Sequence, residues 1–389
     1  MSLSIVTIAD LGKVKNLKTA DIVPIINSFT YNKKLVQVIC RRQKSFFFPR
    51  TQAAVPVLKS FVAKIIASLP GKKASFREIE KKFIDDYAAS KLEKCDVVLF
   101  HPASFKRSVK RAKEAGAVTV GVATSASHTF VDRLMEEEFS KLDLPMYDTF
   151  QKKKIRKYRN LVNEFDYIIA FSDFVKESYI QEGVPGENIY VGISDIDRDK
   201  FVPSEEALTN DTFRVLYAAS TTPLKGLQYL LDAWTQLDMS DIEMVIAGGY
   251  KNIPTALDKR FKNTIENDPR IIDIGHTDSM VCYYQEASVF VLPSLTEGNP
   301  RVVMEALACG VPVITTEHAK SIIEDGINGF IVPIRDPGAI REKIKFLYDN
   351  PDILQEMRQA ARRSIENKKE FGEKVFEIYQ DILQREHRV

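Results

Sequence analysis

The 389-residue sequence lacks the features of a membrane-spanning or disulfide-bonded protein. No apolar run approaches the ~18 residues that a spanning helix needs. The first residues carry no basic stretch before their short apolar run, so we expect a first buried strand at Leu3–Ile8 and no signal peptide. The four cysteines (Cys40, Cys95, Cys282 and Cys309) form no CxxC pair and have no histidine at ligand spacing. We therefore expect free thiols in the cytoplasm and no structural zinc.

The sequence also has no proline- or glycine-rich tract and no short internal repeat, which argues against low-complexity and repeat architectures. Its 44% hydrophobic and 28% charged residues are typical of a globular protein. At roughly 100–200 residues per domain, the length predicts two or three domains.

Short apolar runs alternate with helical patterns along almost the whole chain. The predicted strands are Leu3–Ile8, Leu35–Cys40, Asp96–Phe100, Val118–Ala123, Tyr167–Phe171, Ile189–Val191, Phe213–Ala218, Glu243–Ala247, Ile271–Ile274, Val289–Leu292, Val311–Thr315 and Phe330–Val332. The predicted helices include Leu227–Leu237, Pro300–Cys309 and Pro337–Tyr348. Most strands are continuous apolar runs, as in parallel strands covered on both faces, so the pattern predicts a doubly wound α/β fold.

The predicted strands divide naturally into two sheets. The polar segment 192–211 interrupts the alternation and is the best boundary between them. We therefore predict two Rossmann-like domains that face each other across a cleft, over residues 1–200 and 201–369. Ligands of open α/β sheets bind at the carboxyl ends of the strands, so the cleft is the expected site.

Charge is distributed unevenly, although the net charge is only +2. Residues 1–200 hold 34 Lys and Arg against 24 Asp and Glu, a net +10. The remaining residues hold 21 against 29, a net −8. A basic N-terminal half favours an anionic partner or surface, while solvated helix faces explain the excess about as well.

Both explanations, an anionic partner and a solvated helix face, apply to two basic segments of this half. Residues 37–52 (QVICRRQKSFFFPRTQ) mix basic and aromatic side chains. This mixture suits a membrane interface or an anionic lipid-linked acceptor, and it suits a helix–loop packed on the sheet equally well. Residues 152–159 (KKKIRKYR) are better explained as a solvated helix face. No nucleic-acid-reading module is visible, so we predict no nucleic-acid partner.

The segment LTEGNPRVVMEALACG, residues 295–310, predicts a loop and a helix directly after a buried strand. Pro300 suits the first helical position, because its missing N–H would have been unpaired there. Gly310 suits the position just after the helix. The free N–H groups among residues 299–302, other than Pro300, then predict an anion site at the start of the helix.

Two glutamates lie eight positions apart in this segment. Glu297 precedes the helix, where a carboxylate also complements the helix dipole, so a purely structural role explains it adequately. Glu305 lies more than a turn inside an apolar helix. It must either point to solvent or have a partner that offsets its desolvation, and spacing alone leaves its function open.

Other loops follow strands of the same predicted sheet. Ser220 and Lys225-Gly226 follow Phe213–Ala218, and a lysine beside free helix amides would hold a phosphate. An exposed lysine at a helix start is the alternative. His276 follows another strand. Because the carboxyl ends of parallel strands meet at one edge of a sheet, these loops are expected to lie together.

These features together resemble glycosyltransferase family 4, the retaining, nucleotide-sugar-dependent enzymes of the GT-B fold. The features are EGNPRVVMEALACGVPVITT at residues 297–316, LPS at Leu292–Ser294, KG at Lys225-Gly226 and GH at Gly275-His276. The resemblance is close over residues 165–350 and weaker over 1–160. The two glutamates are specific only in this context, because a bare Glu-x7-Glu would be a weak signal.

The resemblance implies a role for each matching residue. Glu297 would contact the hydroxyls of the donor sugar, Glu305 the ribose diol, and Lys225 the diphosphate. The residues that complete the phosphate site would be Gly298, Asn299, Pro300, Arg301 and Val302.

The resemblance also implies donor contacts at further positions. His128 lies in the loop after the predicted strand Val118–Ala123 and would contact the donor sugar, and His276 would lie against the base. Many relatives carry an arginine near the lysine where this chain has Ser220. The glycine-rich loop expected after the first strand is reduced here to Gly12, a further candidate for donor contact.

The resemblance also implies the domain roles. Residues 1–200 would bind the acceptor and 201–369 the nucleotide-sugar donor, with a C-terminal helix at about 370–389 crossing back onto the first domain. The aspartates of DIDRD (Asp195, Asp197 and Asp199) mimic a DxD metal motif, but that motif belongs to the other transferase fold. We therefore predict no metal, and no cofactor besides the donor substrate.

We thus predict a cytoplasmic hexosyltransferase, in peripheral contact with the inner membrane face if its basic segments bind lipid. It would transfer a sugar from a UDP- or GDP-sugar to a glycan, a lipid-linked glycan or a small glycoside, with retention of configuration. A GT-B nucleotide-sugar epimerase and a non-catalytic sugar-nucleotide-binding protein are the alternatives.

Overall fold

A computed structural model describes most of the chain. The described residues are 3–7, 10–11, 25, 28, 35–40, 42–43, 51–53, 76–101, 105–144, 162–204, 212–249 and 254–386. Their strands are β1 Leu3–Thr7, β2 Asp10–Leu11, β3 Leu35–Cys40, β4 Arg42–Gln43, β5 Thr51–Ala53, β6 Val97–His101, β7 Val118–Ala123, β8 Tyr167–Ala170, β9 Ile189–Val191, β10 Phe213–Ala218, β11 Ile242–Ala247, β12 Ile271–Gly275, β13 Val289–Leu292, β14 Val313–Thr316 and β15 Gly329–Val332. Their helices are α1 Phe76–Lys91, α2 Arg107–Glu114, α3 His128–Lys141, α4 Asp173–Ile180, α5 Leu227–Trp234, α6 Thr255–Asn267, α7 Val281–Glu286, α8 Arg301–Ala308, α9 Pro337–Asp349, α10 Pro351–Glu366 and α11 Phe371–Arg385.

Contacts divide the chain into two compact units. Unit 1 comprises Met1–Ser127, Lys153–Asp195 and Lys369–Val389, and unit 2 comprises His128–Lys152 and Ile196–Lys368. The division differs from the predicted boundaries in grouping His128–Lys152 with unit 2. The reason is that α3 packs against the short 3₁₀ turn that precedes α5.

Unit 1 is built on a seven-stranded sheet in the order β5-β3-β1-β6-β7-β8-β9. Every pairing in it is parallel. The long final helix, α11, packs on this sheet through one apolar stripe, which keeps the end of the chain in unit 1. The stripe consists of Phe371, Val375, Ile378, Tyr379, Ile382 and Leu383.

Unit 2 is built on a six-stranded parallel sheet in the order β12-β11-β10-β13-β14-β15. In chain order within the unit this is 3-2-1-4-5-6, the Rossmann arrangement. Most of its strands are apolar runs buried on both faces, whereas the edge strand β12 exposes Ile272 and Asp273. The fully buried side chains include Tyr217, Trp234 and Phe290. The predicted doubly wound fold is therefore confirmed in both units.

The strand limits agree with the predicted ones to within about two residues, as is usual at element ends. The largest shift is at β14, predicted from Val311 and observed from Val313. The N–H of Val311 closes helix α8 by donating to Ala306, and Pro312 has no N–H to donate. No helix in the described ranges combines the length and apolar character needed to cross a membrane.

Candidate functional site

The strand order of unit 2 reverses between β10 and β13, which is the point where open α/β sheets bind their ligands. The loops that follow these two strands lie against each other. The N–H of Leu295 donates to the carbonyl oxygen of Leu224 at 2.8 Å. Gly226 has φ 74°, and a Cβ there would lie 1.9 Å from the carbonyl oxygen of Pro293. Only glycine permits both the left-handed backbone and this close approach.

Lys225 and Glu297 form an ion pair across the two loops, between Nζ and Oε1. Both side chains are largely buried, with 27% of Lys225 and 13% of Glu297 exposed. The hydroxyl of Ser294 donates to the same Oε1 at 2.9 Å. Glu297 therefore faces a cation and is not engaged as a helix cap. The structure brings together two residues that sequence placed 72 positions apart.

The Glu297 loop is also held from its other side by His318. The N–H of Glu297 donates to the carbonyl oxygen of His318 at 3.1 Å. The Nδ1 atom of His318 lies 2.8 Å from the carbonyl oxygen of Leu295, so Nδ1 carries the proton in this contact. The ring of Phe130 meets the His318 ring edge-on, with centroids 5.6 Å apart. The loop is thus fixed by backbone contacts that the sequence did not reveal.

Helix α8 follows this loop, with Pro300 at its N-cap and Arg301 as its first residue. Pro300 was predicted at the first helical position, and the difference arises because its ψ of 107° is extended. At the other end, Gly310 has φ 74°, and its N–H donates to Leu307 at 3.0 Å. Gly310 thus occupies the predicted position after the helix.

Glu305 has a partner inside the protein and is only 8% exposed. The hydroxyl of the fully buried Tyr284 donates to Oε2 of Glu305 at 3.0 Å. Burial raises the pKa of Glu305, while the hydrogen bond from Tyr284 and the charges of Arg301 and Lys200 act in the opposite direction. Burial, followed by the charge of Glu305, also raises the pKa of Tyr284. Glu305 was predicted either to point to solvent or to have a partner, and in the structure Tyr284 is that partner.

The remaining predicted positions are distributed around this edge of unit 2. Ser220 is exposed, and the next residue, Thr221, donates its hydroxyl to Gly249 at 3.1 Å. His276 is exposed at the end of β12, two strands from β10. Asn299 accepts a hydrogen bond from Ser321, which orients its amide.

His128 is the first residue of α3 and is half-buried within unit 2. Gly298 is buried, and Val302 is half-buried in the first turn of α8. Gly12, the other predicted donor contact, lies outside the described residues, as does the basic segment 152–159. Of the segment 37–52, only short strand segments are described.

A buried polar cluster near Lys225 was not predicted. Its centre is Glu138 of α3, which is 0% exposed. Glu138 accepts hydrogen bonds from Gln228 Nε2 at 2.8 Å, Tyr229 Oη at 2.7 Å and Arg335 Nε at 2.8 Å. In the sequence Glu138 is the last of three consecutive glutamates, a run typical of a solvated helix face, so no local signal distinguishes it.

Two aspartates of the DIDRD segment, Asp195 and Asp197, accept hydrogen bonds from backbone groups. Asp195 accepts from the N–H of Phe371 at 2.8 Å, at the start of α11, and Asp197 accepts from the N–H of Lys200 at 3.0 Å. Within the described part of the chain, no three His, Cys, Asp or Glu side chains are grouped as metal ligands. The absence of a metal requirement stays a prediction.

Residues 212–350 match the family model of glycosyl transferases group 1. These residues include both loops of the Lys225–Glu297 pair and the whole six-stranded sheet of unit 2. This part of the chain is similar to the group 1 glycosyl transferases. The resemblance to this group is confirmed, whereas the narrower assignment to family 4 and the retaining mechanism stay predictions.

Curated proteins that are similar to the chain include enzymes named for polysaccharide biosynthesis. The capsular polysaccharide biosynthesis glycosyltransferase CapM of Staphylococcus aureus is 27% identical over 217 residues, which cover 52% of this chain and 57% of CapM. The amylovoran biosynthesis glycosyltransferase AmsK of Erwinia amylovora is 26% identical over 242 residues, 59% of each chain. The chain thus matches less than two thirds of the length of these relatives.

Solved structures resemble the chain over nearly its full length. The Anabaena protein HepE in complex with UDP-glucose has a TM-score of 0.67 at 15% identity, covering 99% of this chain and all of HepE. The sucrose-phosphate synthase of Thermosynechococcus elongatus has a TM-score of 0.70 at 16% identity, with coverage of 99% and 100%. At such low identity these likenesses show the fold alone, and they confirm the predicted GT-B class.

Proposed function

We propose that the chain is a retaining glycosyltransferase that moves a sugar from a UDP- or GDP-sugar to a glycan, a lipid-linked glycan or a small glycoside. The observation that carries this proposal is the Lys225–Glu297 pair, held where the strand order of the unit 2 sheet reverses. The Lys225 cation is suited to the anionic diphosphate of a nucleotide sugar, and the Glu297 carboxylate is suited to the hydroxyls of its sugar.

The chemical demand of sugar transfer explains this arrangement. The bond between the anomeric carbon and the diphosphate oxygen breaks with its electron pair on the oxygen. The acceptor hydroxyl oxygen forms the new bond to that carbon, and its proton passes to the departing diphosphate. Negative charge develops on the diphosphate, where Lys225 and the first amides of α8 would stabilise it. A preorganised donor of this kind is worth ~3–4 kcal/mol in the transition state.

Donor binding would redistribute the charges of the pair. Lys225 would exchange its contact with Glu297 for one with the diphosphate, and Glu297 would accept hydrogen bonds from sugar hydroxyls. Ser294 keeps one oxygen of Glu297 engaged, which holds the carboxylate in place during the exchange. We assign His128, the first residue of α3 in the same unit, to the sugar as well, as the resemblance to glycosyltransferase family 4 implies.

Glu305 would bind the ribose of the nucleotide. Its Oε2 is held by Tyr284, so Oε1 is the acceptor for a ribose hydroxyl. Backbone groups of residues 298–302 would line the phosphates, with Ser220 nearby, and His276 would lie on the base side. The HepE structure is a complex with UDP-glucose, which supports a nucleotide-sugar donor for this fold.

For the acceptor, we infer a growing polysaccharide or its lipid-linked precursor. The names of the curated relatives support this class, and the basic N-terminal half is suited to an anionic lipid-linked molecule at the inner membrane face. We place the enzyme in the cytoplasm, where nucleotide sugars would be available.

The test is nucleoside diphosphate release from a panel of UDP- and GDP-sugars, with and without acceptors. We expect release that depends on an acceptor for at least one donor. Lys262→Ala removes an exposed lysine of α6 that is paired with Asp258. It is the control for Lys225→Ala, because it loses the same positive charge away from the site. Release that needs no acceptor would indicate the epimerase. Tight UDP or GDP binding without turnover of any donor would indicate a non-catalytic binding protein.

A further inference from the structure

Helix α3 contacts residues that support each of the two loops of the candidate site. Near its C-terminal end, Glu138 accepts hydrogen bonds from Gln228 and Tyr229, the second and third residues of α5. Near its N-terminal end, Phe130 packs edge-on against His318, which binds the Glu297 loop through two backbone contacts. One helix therefore touches the supports of Lys225 and of Glu297.

Gln228 connects Glu138 to the turn that carries Lys225. Its Nε2 donates to Oε1 of Glu138 and to the carbonyl oxygen of Pro223, both at 2.8 Å. Both partners are acceptors, so the orientation of the amide is determined. Pro223 begins the 3₁₀ turn Pro223–Lys225, and α3 packs on this turn. A two-bond path thus runs from the carboxylate of Glu138 to the turn.

The charge of Glu138 is balanced by Arg335. Its Nε donates to Oε2 of Glu138 at 2.8 Å, and its terminal nitrogens lie 3.4 Å from Oε2 of Glu137. Arg335 has φ 62°, a left-handed backbone that costs energy in a non-glycine residue. Such conformations persist where surrounding contacts hold them, and here the contacts are the two glutamates.

We propose that Glu138 is a positioning residue of the donor site, acting through Gln228 on the turn that carries Lys225. With Arg335 it anchors α3, and the anchored helix fixes the Lys225 turn through Gln228 and the Glu297 loop through Phe130 and His318. This inference rests on the proposed function for its effect on catalysis, and on the hydrogen-bond path alone for its effect on the turn.

A double-mutant cycle tests the catalytic part. Glu138→Gln keeps the oxygen that faces Gln228 and Tyr229 but sets an amide against Arg335. We expect it to lower kcat/KM for the donor about 30-fold in the native background and less than threefold in Lys225→Ala. A merely structural residue would give the same fold-loss in both backgrounds, and this additivity would overturn the proposal.

Hydrogen exchange tests the positioning without any donor. The N–H of Lys225 donates to Thr222 at 2.9 Å and that of Gly226 to Pro223 at 3.3 Å. We expect Glu138→Gln to speed exchange of these two amides about tenfold. Unchanged exchange would overturn the proposal even in an active enzyme. If the native protein turns over no donor, the proposed function fails, and the exchange result still decides whether Glu138 holds the turn.

Two further variants guard against simple misfolding. Gln228→Met is nearly isosteric, keeps Glu138 paired with Arg335, and cuts only the path to the turn, so we expect the same tenfold faster exchange. Asp268→Asn is the matched control, because Asp268 forms a bidentate pair with Arg270 in the same unit, at 3.0 and 2.7 Å. It should leave both kcat/KM and exchange of the turn within twofold of the native values; a comparable change in this control would overturn the proposal.

Discussion

Glu297 and Glu305 lie eight positions apart and have opposite surroundings. Glu297 stands in a loop, paired with the cation of Lys225. Glu305 stands inside a helix, and its hydrogen-bond donor is the neutral hydroxyl of Tyr284. An anionic ligand can compete with Glu297 for the cation of Lys225. The Tyr284 hydroxyl is neutral, so an anionic ligand does not compete with Glu305 for it in the same way.

The difference suggests different tasks for the two carboxylates. A pair of opposite charges at a loop junction can rearrange when a diphosphate arrives, so Glu297 is suited to the reacting end of the donor. A desolvated carboxylate with one oxygen already bound is suited to a fixed hydrogen-bonding partner such as a ribose diol.

Lys225→Ala should have the largest effect, because it removes the cation of the diphosphate and leaves Glu297 without its ion-pair partner. We expect kcat/KM to fall about 10³-fold, or ~4 kcal/mol, as for the loss of an essential transition-state donor. Steady-state release of nucleoside diphosphate measures it. A loss no greater than that in Lys262→Ala would contradict the role of Lys225.

Gly226→Ala should be the most destabilising change at the loop junction. The new Cβ would lie 1.9 Å from the carbonyl oxygen of Pro293, a backbone atom that cannot move aside. Gly326 has a similar φ of 77°, but a Cβ added there would have no atom within 4 Å. Gly326→Ala therefore measures only the cost of placing a non-glycine residue in the left-handed backbone conformation.

We expect Gly326→Ala to cost ~1 kcal/mol of unfolding free energy, and Gly226→Ala about 3 kcal/mol. Urea unfolding compares the two variants. Equal losses would show that the close approach of the two loops does not constrain the site.

Ser294→Ala tests whether the orientation of the Glu297 carboxylate matters for catalysis. It removes the hydroxyl that orients Oε1 of Glu297 and leaves the ion pair with Lys225 in place. Loss of a hydrogen bond to a charged group predicts a fall in kcat of about tenfold. Binding of UDP or GDP, measured by calorimetry, should not change, and an equal fall in nucleotide affinity would place Glu297 with the nucleotide.

Glu305→Gln should have the smallest effect, and a pH-dependent one. Burial raises the pKa of Glu305 in the folded protein above its usual value of 4.5, so the folded state binds more protons than the unfolded state between the two values. Stability contributed by this group is therefore present at low pH and lost as pH rises through the folded pKa. Urea unfolding should show Glu305→Gln more stable than the native protein at pH 8, by a margin that shrinks towards pH 4.5. A margin independent of pH would contradict a desolvated Glu305.

The fold could be predicted because its signals are local. Most predicted strands were continuous apolar runs, and the order of strands and helices then restricts the sheet to a few arrangements. Strand ends depended on neighbours that local patterns omit. The start of β14, for example, is set by the use of the Val311 N–H to close α8.

The meeting of the site loops was equally predictable, because the carboxyl ends of parallel strands share one edge. Their partners were not. Tyr284 and Glu305 are 21 positions apart, and Glu138 and Arg335 are 197 apart. Such pairs arise from the packing of whole helices, and neither Tyr284 nor Glu138 carries a sequence signal of a buried polar contact.

The division of labour between the two carboxylates is tested most directly by two variants in parallel. Glu297→Ala and Glu305→Ala are compared for the Kd of UDP or GDP and for kcat with the donor that the native enzyme uses. We predict that Glu305→Ala weakens nucleotide binding more than Glu297→Ala does, and that Glu297→Ala mainly lowers kcat. The reverse ranking would contradict the assignment of Glu297 to the sugar and Glu305 to the ribose.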